Sequence, residues 1–167
     1  MINQLPSNNY YFKILFAPRW EFIRLIRSFI ENFIHSLIKD LDLGKRVSTS
    51  TNELIENAVK YSLSDEIFFE IDLNYHYNNR KCVHLKISNT GEAKTIQELK
   101  DIMNEIDTDN PQEAYLMRMQ KVFERDITDT RSQLGLARIK CEGHADLKYI
   151  IEEQNKVSMM AYFYYEA

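Results

Sequence analysis

The sequence predicts an α/β fold: a two-layer sandwich with a mixed, mainly antiparallel sheet and helices on one of its faces. Three observations carry this reading. Glu66–Tyr75 and Lys81–Asn89 alternate apolar and polar residues on either side of Asn78-Asn79, the pattern of two hairpin strands around a tight turn. Trp20–Leu41 repeats its apolar residues at helical spacing. The chain has 167 residues, 44% of them hydrophobic, with only 4 Gly and 3 Pro, enough for one core and too compact in composition for a multidomain array or a disordered tail.

The elements follow in order. Tyr10–Phe16 is aromatic and aliphatic and reads as a strand. Pro18 suits the first turn of the helix that follows, and Gly44 is a plausible stop signal for it. Ile23, Ile26, Ile30, Phe33, Ile34, Leu37, Ile38 and Leu41 recur at helical spacing as its apolar stripe. Phe22, Leu25 and Phe29 widen that stripe beyond what one sheet-facing helix needs. The helix is therefore either sandwiched or paired with a second copy in a homodimer. A second helix spans 45–62, beginning near Lys45 or at Ser50, whose S-x-x-E spacing to Glu53 matches a capping box. After the hairpin strands come two polar helices, Thr95–Asp107 and Pro111–Arg125, then a short one, Leu134–Glu142. Leu147–Glu153 and Val157–Tyr165 close the chain as a hairpin, the aromatic run Tyr162–Tyr165 serving as an edge or core strand or, if exposed, as a dimer surface.

Several function classes are disfavoured at once. Net charge is -4 with no basic run, so no nucleic acid is expected as a partner. Arg24, Arg27, Glu31, Lys39 and Asp40 interrupt the apolar stretch Phe22–Leu43, so no membrane span is expected. The two cysteines, Cys82 and Cys141, make no disulfide framework, and no signal pattern opens the chain, which together suit the cytoplasm. Cys82-x-His84 and Cys141-x-x-His144 would suggest zinc only if the two segments met. His35 lies on the first helix without the acidic neighbour and downstream proline of a histidine-kinase phosphoacceptor.

The densest chemistry lies in Thr51–Ser62, T-N-E-L-I-E-N-A-V-K-Y-S. On a helix, Glu53, Asn57 and Lys60 fall at i, i+4 and i+7 along one edge, while Leu54, Ile55, Ala58 and Val59 face the core. A carboxylate takes a proton, an amide oxygen ligates a hard cation and an ammonium meets a phosphate, as a magnesium–nucleotide site requires. The plainer reading is a tied-down helix start with two solvated positions.

Three landmarks then fall in the order of a known superfamily. The chain resembles the GHKL (Bergerat-fold) ATPases over residues 45–165. E53-L-I-E-N57-A-V-K60-Y-S resembles the N box, S88-N-T-G91-E-A93 the first glycine box, and L134-G135-L136-A-R-I139 the end of the second. The small size, without a phosphoacceptor domain, is closest to the anti-sigma-factor serine-kinase and partner-switching branch. The resemblance implies a single domain over 1–167, with strand and helix at 10–43, the N-box helix at 45–62 and a lid at about 92–134. It also implies ATP and magnesium as cofactors. Glu53 would be the general base, Asn57 the magnesium ligand and Lys60 a neighbour of the phosphates. Asn89 and Gly91 would meet the adenine, and Gly135 and Leu136 the phosphates.

The departures from that pattern bear on activity. Asn89 stands where the family has an aspartate. Its carbonyl can still accept one hydrogen bond, but the charge is lost, and a buried NH2 facing adenine's own donor would cost about 1–3 kcal/mol. Ala93 replaces a glycine, and Arg131 and Gln133 replace two glycines of the phosphate loop, with Arg131 able to act as a phosphate ligand. Two functions follow from the resemblance. One is a regulatory protein that holds a small signalling partner, such as a STAS-type antagonist, with reduced nucleotide use. The other is an active ATP-dependent serine kinase of such a partner.

Overall fold

The computed structural model describes residues 10–124 and 134–166. Its elements are β1 (Tyr11–Phe16), α1 (Trp20–Ile38), α2 (Leu41–Tyr61), β2 (Ile67–Tyr77), β3 (Arg80–Thr90), α3 (Ala93–Ile106), α4 (Pro111–Phe123), α5 (Gly135–Cys141), β4 (Asp146–Ile151) and β5 (Lys156–Tyr164). Five strands form one sheet in the order β1-β2-β3-β5-β4, and all four described pairings are antiparallel. This is the expected two-layer sandwich, with no parallel pair among the described strands.

Strand alternation decides which side chains meet the helices. Ile67, Phe69, Ile71 and Leu73 of β2, and Val83, Leu85 and Ile87 of β3, are buried in the main core with Ala161 and Phe163 of β5. Truncating a side chain as enclosed as Phe69 or Phe163 to alanine costs about 3–5 kcal/mol. Asn78 and Asn79 both adopt positive φ, 51° and 59°, which gives the two-residue turn the twist that hairpin strands need.

The helical hairpin corrects the sequence reading in three places. Lys39 ends α1 in the left-handed region at φ 61°, and its N–H donates to the His35 carbonyl at 3.0 Å, so no glycine stops this helix. Asp40 caps α2 by accepting from the Leu43 N–H at 2.9 Å, so α2 starts ahead of both expected positions. Ser50 is buried in the middle of α2, and no capping box forms there. Gly44 lies inside α2, where a Cβ would sit 3.4 Å from the Glu31 carbonyl oxygen of α1. It permits the close approach of the two helices.

α1 buries Ile23, Ile26, Ile30 and Ile34. A side stripe stays open: Leu25 is 63% exposed and Phe29 is 41% exposed, with Phe29 against Phe12 of β1 at 4.9 Å between centroids. β5 is an internal strand, not an edge. Tyr162 is buried on the sheet face away from the main core, stacked against His84 and Tyr77 at 4.9 and 4.2 Å, which leaves no free dimer surface at that residue. Among the described residues no helix is long and apolar enough to cross a membrane.

Candidate functional site

Residues from four separate stretches converge on one cavity of about 90 Å³. α2 contributes Asn57, with Leu54 and Ala58 behind it. β3 contributes Asn89, and the turn after it contributes Gly91. α3 supplies Ile96 and Leu99, while Gly135 and Leu136 open α5 on the opposite side. Asn89 arrives there through strand parity. It follows Val83, Leu85 and Ile87 on the helix-facing side, at the first position where the sheet floor is open to the cleft.

Two carboxamides, of Asn57 and Asn89, line this cleft. The Asn57 carboxamide makes no hydrogen bond among the described residues, and the Asn89 amide has only a long contact, 3.4 Å, to the Thr90 carbonyl. The walls are mainly apolar, formed by Leu54, Ala58, Ile87, Ile96, Val157 and Met159, with Thr95 and Glu98 also in the lining. A flat heteroaromatic ring suits such a slot, with Asn89 as its polar contact on the floor.

Glu53 stands at the edge of this cleft, closed off by an ion pair that lies 85 residues away in the chain. Arg138 Nη1 of α5 donates to Glu53 Oε1 at 2.7 Å, and the Glu53 side chain is only 17% exposed. Burial raises the Glu53 carboxyl above the usual carboxylate range, with the Arg138 charge offsetting part of that rise. The guanidinium is itself raised, by its hydrogen bond to Tyr115 and by Glu53. A Cβ at Gly135 would overlap Glu53 Oε2, so the absence of a side chain at Gly135 sets where the carboxylate rests.

The remaining expected positions lie elsewhere. Lys60 is exposed, outside the cavity lining, with its ammonium 5.3 Å from the centroid of the Tyr61 ring. Arg131 falls outside the described residues. The zinc alternative does not assemble. Cys82 and His84 pack with Tyr75 and Tyr162 on β-strands, while Cys141 ends α5. Sequence reasoning missed Arg138. Its only sequence signal was a basic residue one turn into the helix opened by Gly135.

No family model and no curated protein matches the chain. Among solved structures, a chain of the SiaB–SiaC complex from Pseudomonas aeruginosa superposes with a TM-score of 0.67 at 14% identity. The match covers 90% of this chain and 88% of that chain. The two chains share a fold.

The donor set bears differently on the two ends of an ATP–magnesium ligand. The apolar slot with Asn89 suits the base, and Asn57 offers an uncommitted amide oxygen of the kind hard cations take. Glu98 is the one charged residue in the described lining. Gly91 separates ligand effects from folding effects. Its φ is not positive, and a Cβ there would make ordinary contacts, 3.7 Å to Ile96 and 3.8 Å to the Tyr61 carbonyl. Gly91→Ala is therefore expected to keep the circular-dichroism spectrum and melting profile of the parent while placing a methyl group in the wall of the slot. A ligand that packs against this wall should bind more weakly, read by titration calorimetry.

Proposed function

We propose that this chain is a regulatory GHKL-type protein of the anti-sigma, partner-switching kind. It holds a small signalling protein, and its nucleotide cleft is retained in reduced form. The observation that carries the reading is the convergence of Asn57, Asn89, Gly91, Gly135 and Leu136, residues of all three resembling boxes, on one cavity. A fold shared with a chain from a two-protein complex supports a protein partner, and the partner's STAS-type character is part of the proposal. The uncharged floor at Asn89 supports weak nucleotide binding. ATP and magnesium are the proposed cofactors, with Asn57 as the protein's magnesium ligand. Capture of partners from cell extract on the immobilised chain, followed by mass spectrometry, tests the regulatory reading. A small regulatory domain recovered in stoichiometric amount supports it, and recovery of the chain alone opposes it.

One observation favours the kinase reading beside this one. Glu53 has a buried carboxyl with a raised pKa at the cleft edge, directly against Gly135, which suits a general base. In that reading Glu53 takes the proton of a partner's hydroxyl as its oxygen receives the terminal phosphoryl group of the nucleotide. Bound magnesium would neutralise phosphate charge.

Self-association through the open stripe of α1 belongs to the same proposal. Light scattering is expected to read a dimer for the parent chain and a monomer for Leu25→Glu with Phe29→Glu, both exposed enough to accept the change. A monomeric parent removes the dimer.

A further inference from the structure

A second cavity, of about 170 Å³, lies between α2 and α5; Glu53 lines it and does not line the apolar slot. The two linings divide along both helices. On α2 the slot takes Leu54, Asn57, Ala58 and Tyr61, and the second cavity takes Lys45, Arg46, Thr49, Ser50 and Glu53. On α5 the slot takes Gly135 and Leu136, and the second cavity takes Arg138, Ile139 and Glu142. The Glu53–Arg138 ion pair is thus the partition between them.

The chemistry of the second cavity is distinct. Its lining carries three cations, Lys45, Arg46 and Arg138, against two carboxylates, Glu53 and Glu142, with Asp42 beside Arg46 just outside it. Arg46 is held by Asp42 at 2.8 Å and donates to the Gly143 carbonyl at 3.1 Å, while Arg138 is held by Glu53. Lys45 is exposed and has no ion pair among the described residues. Two hydroxyls also lack a partner there. Neither Thr49 nor Ser50 makes a side-chain hydrogen bond among the described residues, although Ser50 is only 2% exposed. A buried hydroxyl facing a cavity is a group awaiting a hydrogen bond.

We propose that this groove seats an acidic, hydrogen-bonding segment of the partner protein. The inference rests on the reading of the chain as a partner-binding regulator. Charge complementarity selects the occupant. Lys45 supplies the uncommitted positive charge, and Thr49 and Ser50 supply hydrogen-bonding hydroxyls. The chain as a whole is acidic at -4, but screening confines that repulsion to about 8 Å at physiological salt, so the local cations decide. A segment in this groove lies against the Glu53–Arg138 partition and therefore next to the slot.

The test is an amide-detected NMR titration of the full chain with a short glutamate-rich peptide carrying a central serine and capped at both ends. A lysine-rich peptide of the same design is the control. The acidic peptide is expected to shift Lys45, Thr49, Ser50, Glu142 and Gly143, leaving Asn89 and Gly91 in place, and the basic peptide to shift neither group. Lys45→Glu, at an exposed position, should weaken the acidic peptide about fivefold without altering the fold. Shifts centred on Asn89 and Gly91, no shifts with either peptide, or equal affinity in Lys45→Glu would overturn the assignment. Adding Mg-ATP to the same samples keeps the two readings separate. A chain that ignores nucleotide yet binds the acidic peptide loses the slot and keeps the groove, and the reverse outcome removes the groove alone.

Discussion

Asn89→Asp should tighten adenine-nucleotide binding by about tenfold while lowering the stability of the free protein. Both effects follow from one group. Asn89 lies on the slot floor, half-buried, with its amide donating only a long bond to Thr90. The Asn89 carbonyl can accept one hydrogen bond from the exocyclic amine of adenine, but without charge. A carboxylate accepts there as a charged group, and a hydrogen bond to a charged group is stronger by about 1 kcal/mol or more, a factor of about ten. The same carboxylate is placed among Ile87, Val157 and Met159, an apolar setting that desolvates it. Its folded pKa is then raised above the unfolded value. The stability penalty is absent below the unfolded pKa near 4 and grows as pH rises through the folded pKa. Calorimetric titration and melting curves at acid and neutral pH read the two effects. Unchanged affinity with unchanged stability would show that Asn89 does not face a ligand.

The second large effect is expected at the partition. Arg138→Ala should cost more stability than Glu53→Gln, because the two partners are unequally buried. Glu53 is 17% exposed and Arg138 is 37% exposed. Removing the arginine strands a carboxylate that burial already raises, whereas removing the carboxylate leaves a guanidinium still beside Tyr115 and Glu142. Breaking a fully buried pair costs about 3–5 kcal/mol, and the partial exposure here reduces this to about 1–3 kcal/mol. The pH dependence identifies the cause. In Arg138→Ala the folded Glu53 pKa lies further above its unfolded value. The difference from the parent is therefore smallest in acid, where Glu53 is protonated, and it grows as pH rises through the raised folded pKa. Denaturant midpoints measured from acid to neutral pH test this. A loss independent of pH would assign the effect to packing of the arginine stem rather than to the charge.

Local chemistry was readable where a short stretch determines its own geometry. The strands around Asn78-Asn79 announced themselves because alternation and a positive-φ turn are both encoded within a few residues. The apolar stripe of α1 was equally plain, since its period is a property of the helix alone. The break between α1 and α2 was not. A lysine takes the left-handed position at Lys39, and Gly44, the nearest glycine, is used for helix contact. A glycine in the sequence does not reveal which of these two uses it serves.

The site divides along the same line. Asn57 and Asn89 could be placed from helix register and strand parity. That Glu53 is paired could not be foreseen, because Arg138 reaches it only through the packing of α5 against α2. Lys60 shows the opposite failure. Helical register puts it in line with Glu53 and Asn57, but α2 has reached its last turn there and the side chain is in solvent.

The account depends most on the slot being a nucleotide site. Titration calorimetry with Mg-ATP, run on the parent chain and on Asn57→Ala with circular dichroism as the folding control, tests this directly. Saturable heat in the millimolar range that disappears in Asn57→Ala is the result expected. Absence of heat at millimolar nucleotide, or binding unchanged by Asn57→Ala, would contradict it.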